Sequence, residues 1–131
     1  MTSETQIIIG VDFVPIPTEN FDASVAFYGT TLGLRRSAYI PERHFAEFET
    51  GTVTLTVIVP EEQGYAFTPI VNAPALRVND VEVARAALAD RGVKFDGDTL
   101  DTGVCHMAFF SDPDGNALML HHRYAPRIPE A

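Results

Sequence analysis

Short apolar runs alternate with two helical patterns along the chain. An Ile- and Val-rich run over residues 6–16, closed by prolines, predicts a strand. Apolar residues then recur at helical spacing over residues 20–32, where Asn20 is a favourable N-cap and Gly33 is placed to end the helix. Hairpin signals separate three short strands, which we predict over residues 37–40, 45–49 and 52–59.

The second half of the chain repeats this order of elements. It predicts a helix over residues 80–91 with Asp80 as N-cap, and strands over residues 73–78, from 93, over 104–110 and over 117–122. A shift of 60 residues places Asn20 on Asp80, and one gap then aligns Gly33 with Gly92. We therefore predict an α+β fold of two βαβββ modules, at about 7–60 and 71–123, in a single domain 1–131.

Charge and composition narrow the possible partners. The net charge of −9 disfavours nucleic acid and anionic membrane surfaces, because neither phosphates nor lipid headgroups would be neutralised. The longest apolar stretches are of strand length, so no membrane span is expected. Cys105 is the single cysteine and no leader-like pattern occurs, which favours a cytoplasmic protein.

Two local motifs accompany the repeat. They are Ala26-Phe27-Tyr28 leading to Leu32-Gly33-Leu34, and Phe110-Ser111-Asp112-Pro113-Asp114-Gly115-Asn116. With the repeat, they resemble the vicinal oxygen chelate superfamily, which contains glyoxalase I, extradiol dioxygenases and the bleomycin-resistance proteins. The resemblance covers about residues 11–123. It implies that each module rolls its sheet into half of an open cup, with the helices outside and a cavity inside.

The resemblance also implies where a metal would be bound. Metal-dependent members place His, Gln or Glu ligands on the first and last strand of each module, and the matching positions are Phe13, Thr54, Ala73 and Met119. None of these residues is a histidine or a carboxylate, the groups that such cations require. We therefore expect no metal and no cofactor, which argues against the superfamily's metal-dependent activities.

Strand alternation then gives the lining of the implied cavity, because residues with the parity of the lost ligands face inward. The candidate ligand-binding residues are Phe13, Phe45, Glu47, Thr54, Thr56, Arg77, Met107, Phe109, Met119 and His121. Aromatic residues in this set suit a flat, conjugated ligand by stacking. Methionines supply pliable walls.

Simpler interpretations of these residues stay open. The aromatic and methionine side chains could pack a filled core, and Glu47 and Arg77 could be solvated charges at a rim. Only His121 of the four histidines has cavity parity, so a shared histidine metal site is not favoured. His106 has helix-facing parity unless a bulge reverses it, and Cys105 is interpreted as a small packed residue.

Three functions are compatible with the pattern. The favoured one is a metal-free protein that sequesters a planar aromatic or cationic small molecule, of the antibiotic-binding, drug-resistance type. The alternative is a glyoxalase-like lyase or isomerase, or a dioxygenase-type enzyme, with an unusual metal site or none; Glu47 or His121 would be the general base of a metal-free catalyst. An interaction domain with a filled cup is the third. We also expect a homodimer with two equivalent cavities, closed within one chain or across two.

Overall fold

The chain folds as two four-stranded sheets, each carrying one helix. The computed structural model describes residues 5–127, so the ends of the predicted domain, 1–4 and 128–131, lie outside the described residues. The first module contains β1 (Phe13–Pro17), α1 (Phe21–Ala26) with a π-helical turn (Phe27–Thr31), β2 (Arg35–Ile40), β3 (Phe45–Glu49) and β4 (Thr54–Ile58). The second contains β5 (Ala75–Arg77), α2 (Val81–Asp90), β6 (Phe95–Asp101), β7 (Cys105–Ser111) and β8 (Ala117–Arg123).

Both sheets have the same topology. The strand orders are β1-β4-β3-β2 and β5-β8-β7-β6, with a parallel first pair and antiparallel pairs elsewhere. Each helix connects the edge strand of its sheet to the opposite edge. The repeated order of elements confirms the predicted α+β fold of two βαβββ units.

Both helices begin and end where the sequence predicted. The side chain of Asn20 accepts a hydrogen bond from the Ala23 backbone N–H, and Asp80 accepts one from Val83 at the start of α2. The residues after the helices, Gly33 and Gly92, have φ of 71° and 93°. Only glycine adopts this left-handed region without strain, so these positions stop both helices.

One face of each sheet is buried against the helices. Alternate strand residues are no more than 2% exposed and belong to one core: Ala46, Phe48, Leu55, Val57, Ala108, Phe110, Leu118 and Leu120. Most of their neighbours in sequence are half-buried or exposed. This burial pattern is the alternation that the sequence predicted.

The two motifs that carried the resemblance meet in space. Tyr28 is fully buried, and its hydroxyl donates a hydrogen bond to Asp112 Oδ2 at 2.7 Å. In the same turn, Asn116 donates to the Pro17 carbonyl at 2.8 Å. The ring of Phe27 lies 6.5 Å from that of Phe110. The modules are therefore joined on their helix-bearing sides.

Five strands begin two or more residues away from their predicted starts; among them, β2 begins at Arg35 rather than at 37, and β6 begins at Phe95 rather than at 93. β1 begins at Phe13 rather than at residue 6, because Phe13 is paired with Thr54, where β4 begins. β4 itself begins at Thr54 rather than at 52, since Thr50 and Val53 close a turn just before it. β5 begins at Ala75 rather than at 73, opposite Met119. A strand needs a neighbour to satisfy its backbone, and an apolar run without one stays outside the sheet.

Candidate functional site

The candidate site lies on the face of each sheet that carries no helix, which we call the open face. Cross-strand partners have their side chains on the same face, so the register alone groups the predicted residues. The open face of the first module contains Phe13, Phe45, Glu47, Glu49, Thr54 and Thr56. That of the second contains Arg77, Met107, Phe109, Met119 and His121. The structure brings residues together within each set.

Two rungs of paired residues cross the first open face. Phe13 pairs with Thr54 and Thr54 with Glu49, while Thr56 pairs with Glu47 in the next rung. Thr54 Oγ1 donates to Glu49 Oε1 at 2.7 Å, and Thr56 Oγ1 donates to Glu47 Oε2 at 2.9 Å. The threonine hydroxyls therefore hold two carboxylates side by side on this face.

Glu49 was missed by the sequence analysis. The alternation that selected Glu47 also selects Glu49 two residues later, so the signal was present. Its other oxygen accepts a hydrogen bond from Ser37 Oγ at 2.5 Å, at a bulge of β2. The hydrogen bonds from Ser37 and then Thr54 hold the pKa of the Glu49 carboxyl below its ordinary value. Glu49 therefore stays negatively charged into more acidic solution than an ordinary glutamate.

The second open face is more apolar. Phe109 pairs with Met119, and Met107 pairs with His121, which is opposite Arg77 on the edge strand. Four of these side chains are half-buried, and Arg77 is exposed. Phe109 and the two methionines form an apolar wall, with His121 and Arg77 as its polar border.

The positions that would bind a metal in the superfamily do not fit one. Phe13 offers a phenyl ring, and the Thr54 hydroxyl is bonded to a carboxylate. Met119 is paired with Ala75, whereas Ala73 precedes the strand. The residue opposite Met119 is therefore Ala75 and not the predicted Ala73, and an alanine side chain cannot bind a metal. Among residues 5–127, no three His, Cys, Asp or Glu side chains are close enough together to hold an ion.

The remaining histidines are dispersed over the molecule. His44 contacts Glu62 and lies 5.3 Å from the ring of Phe21. His122 Nδ1 is 3.1 Å from the Val78 carbonyl oxygen. These two side chains are outside both open faces.

The side chain of His106 is half-exposed, with Nε2 3.4 Å from Asp101 Oδ2 and its ring 4.8 Å from that of Tyr124. Backbone N–H donation from Gly103 and then the Tyr124 hydroxyl lowers the pKa of Asp101. Cys105 is buried, as the sequence analysis expected of a packed residue, and Arg123 Nη1 lies 3.9 Å from its sulfur. This polar cluster lies at the start of β7, whereas the two rungs of paired residues cross β1, β3 and β4 of the first sheet.

The surface also carries two grooves outside the open faces. One, of about 380 Å³, lies between α1 and the β2–β3 strands, beside Gly29 and Arg36. The other, of about 490 Å³, lies beside His44 and Glu62. Neither is lined by a residue from the predicted site. No helix in the described part of the chain is long and apolar enough to cross a membrane.

The paired βαβββ fold, with one helix and one open face per sheet, defines the structural class of the protein. The sequence pattern of the Glyoxalase/Bleomycin resistance protein/Dioxygenase superfamily matches residues 10–120. The chain belongs to this superfamily, and its fold is the vicinal oxygen chelate fold. No curated protein sequence matches the chain.

Solved structures with a similar fold include proteins whose names indicate different functions. The antibiotic binding protein TnmS3 from Streptomyces sp. CB03234 has 26% identity and a TM-score of 0.76, over 90% of this chain and 98% of that one. A glyoxalase/bleomycin resistance protein/dioxygenase from Nocardioides has 22% identity and a TM-score of 0.73, over 98% and 93%. Lactoylglutathione lyase from Agrobacterium tumefaciens has 16% identity and a TM-score of 0.72, over 86% and 92%.

Proposed function

We propose that the protein sequesters a small planar aromatic compound, preferably a cationic one, without a metal. The observation that carries the proposal is the composition of the open faces. They place a phenylalanine and two methionines on one sheet, and two phenylalanines and two carboxylates on the other. The residues at the positions where metal-dependent members of the superfamily bind a metal carry no histidine or carboxylate here, so they cannot supply the ligands that a glyoxalase-type enzyme needs.

The apolar part of the site suits a flat ring system. Phe109 and Met119 are directly paired across β7 and β8, and Met107 is two residues away on the same face. A good aromatic pair contributes about 0.5–1.5 kcal/mol beyond the burial of its area. The flexible thioethers adapt to the outline of a ligand.

The charged part of the site favours a cation. Glu47 and Glu49 are adjacent on β3 in rungs next to each other, and the whole chain has a net charge of −9. Their field concentrates cations near the first open face and repels anions. Similarity to an antibiotic-binding protein at 26% identity supports an antibiotic as the class of compound.

A second copy of the chain would close the site. The modules are joined on their helix-bearing sides, so their open faces point away from that junction. Phe13 is 50% exposed, and the other open-face aromatics are half-buried. A twofold dimer that opposes the first open face of one chain and the second of its partner would cover both and make two sites.

The test is a titration of the protein with proflavine, a planar three-ring cation, followed by its fluorescence. Phe109→Ala should weaken binding by about tenfold or more through the lost stacking and burial. Glu47→Gln should weaken binding several-fold, with the loss reduced at high salt. Tyr65→Ala is the matched control, since Tyr65 is an exposed aromatic outside the open faces. Equal affinities for the three variants, or preference for a planar anion such as fluorescein, would contradict the proposal.

A further inference from the structure

The polar border of the second open face is made of basic side chains. Arg77 is paired with His121, and Arg123 follows His121 two residues later on β8, with the same parity. β5 and β8 are neighbours in the sheet, so the side chains of Arg77 and His121 project from strands about 5 Å apart. Three side chains that donate hydrogen bonds and can carry positive charge therefore lie along one border of the apolar wall.

This basic border has no acidic partner within the chain. Over the range that the structure describes, no carboxylate is within ion-pair distance of Arg77, His121 or Arg123. In the same range, the side chains of Arg77 and His121 make no hydrogen bond. Asp96 has the parity of this face but lies on β6, at the opposite edge of the sheet from β5. The positive charge of the border is therefore not neutralised by the chain itself.

Arg123 carries a buried donor without an acceptor. Its Nε is buried and has no hydrogen-bond partner in the described part of the chain. Its Nη1 is 3.9 Å from the sulfur of Cys105, and its Nη2 is 3.4 Å from the carbonyl oxygen of Pro126. Sulfur is a weak acceptor and the second contact is long, so the guanidinium keeps most of its hydrogen-bonding capacity. An unpaired buried donor is costly, which indicates that a further acceptor belongs beside this border.

The basic border adjoins the apolar wall. Met119 precedes His121 by two residues on β8, and Met107 is opposite His121 on β7. A flat ring stacked on Phe109 and Met119 therefore brings a substituent on its edge within reach of Arg77 and His121. Guanidinium and imidazole N–H groups bind oxyanions, and a guanidinium can hold a carboxylate by two parallel hydrogen bonds.

We propose that Arg77, His121 and Arg123 form an anion subsite that binds an oxyanion substituent, such as a carboxylate, on the planar ligand. This inference rests on the proposed function and narrows its ligand class from a planar cation to a planar ring system that carries both a positive and a negative group. The positive group is attracted by Glu47 and Glu49 of the first open face. Contacts at hydrogen-bond distance decide where the negative group binds, because salt screens the more distant charges of the chain.

Net charge alone predicts the opposite preference. A chain with a charge of −9 attracts a cation more strongly than a zwitterion of the same shape. Tighter binding of the zwitterion would therefore identify a local contact with its anionic group.

The test compares two flat dyes of the same shape, 9-aminoacridine-2-carboxylic acid and 9-aminoacridine-2-carboxamide, by fluorescence titration at neutral pH. The wild type should bind the carboxylate dye about tenfold more tightly than the carboxamide dye, since a hydrogen bond to a charged group contributes about that factor. Arg77→Gln should abolish most of this preference and leave the affinity for the carboxamide dye unchanged. Because Arg77 is exposed, its replacement should not disturb the fold.

Arg36→Gln is the matched control. Arg36 is also an exposed strand residue, but it is opposite Phe48 on the helix-bearing side of the first sheet. Its replacement removes the same charge from the chain and should preserve the preference for the carboxylate dye.

Unsubstituted 9-aminoacridine separates the failure of this inference from the failure of the proposed function. If it binds while the carboxylate dye binds no more tightly than the carboxamide dye, including the case in which neither binds, the anion subsite is overturned and the binding of a planar cation stands. A preference that survives Arg77→Gln, or that Arg36→Gln reduces equally, also overturns the subsite. Absence of binding by all three dyes overturns both.

Discussion

Replacement of Tyr28 by phenylalanine removes one hydroxyl from the junction between the modules. That hydroxyl is buried and donates to Asp112 Oδ2 at 2.7 Å. Burial, and then the negative charge of Asp112, raises the pKa of Tyr28 far above its ordinary value. The hydroxyl therefore remains a hydrogen-bond donor at neutral and moderately alkaline pH.

The magnitude follows from the partners that remain. Asp112 keeps three donors after the change: the side-chain amide of Asn116 at 2.8 Å and the backbone N–H groups of Asp114 and Asn116 at 2.9 Å. A hydrogen bond to a charged group contributes about 1.5–3 kcal/mol. We expect Tyr28→Phe to lower the free energy of unfolding by about 2 kcal/mol. For a domain of this size, that corresponds to a fall in Tm of roughly 6–10 °C.

Tyr124→Phe is the matched control for this prediction. Its hydroxyl also donates to a carboxylate, Asp101 Oδ1 at 2.8 Å, but the residue is 46% exposed. Water replaces the lost bond there, so the change should lower the free energy of unfolding far less than Tyr28→Phe does.

Urea unfolding followed by far-UV circular dichroism measures both variants, at one protein concentration because dimerisation adds to stability. A Tyr28→Phe cost equal to that of Tyr124→Phe, with unchanged m-values, would refute the buried junction.

Three further predictions concern single positions. Gly115→Ala should cost about 1–2 kcal/mol because φ there is 84°, and Gly115→Asn should cost less; urea unfolding measures both. Asp80→Ala should cost about 1 kcal/mol by removing the cap of α2, whereas Asp80→Asn should be close to the wild type by the same measurement. Ser37→Ala should raise the pKa of Glu49 toward its ordinary value, measured by NMR titration. Because the folded pKa is depressed, the stability difference between wild type and Ser37→Ala should be full above about pH 4.5 and shrink as the pH falls through the folded pKa.

Local signals were sufficient for most of the fold. Asn20, Asp80 and the glycines after the helices act through their own backbone, so their roles could be predicted from adjacent residues. Alternation likewise separated Leu55 and Phe110 from the open-face residues, because strand parity is a local property.

Features that depend on a distant partner could not be predicted in the same way. The sequence placed Tyr28 in the predicted helix over residues 20–32 but gave no sign that its hydroxyl reaches Asp112, 84 residues away. The start of β1 depended on where β4 begins, not on the apolar character of residues 6–12. Glu49 is different, since its parity was available and only its bonds to Ser37 and Thr54 required the structure.

The central claim is that the open faces bind a planar cation without a metal. The most direct measurement is an NMR titration of protein labelled with ¹³C at the methionine methyl groups, with proflavine added in the presence of EDTA. The resonances of Met107 and Met119 should both shift by the ring current of a stacked ligand and saturate together at one proflavine per chain. Binding of proflavine that leaves both methyl resonances unmoved, or binding that appears only when a divalent metal is added, would contradict the claim.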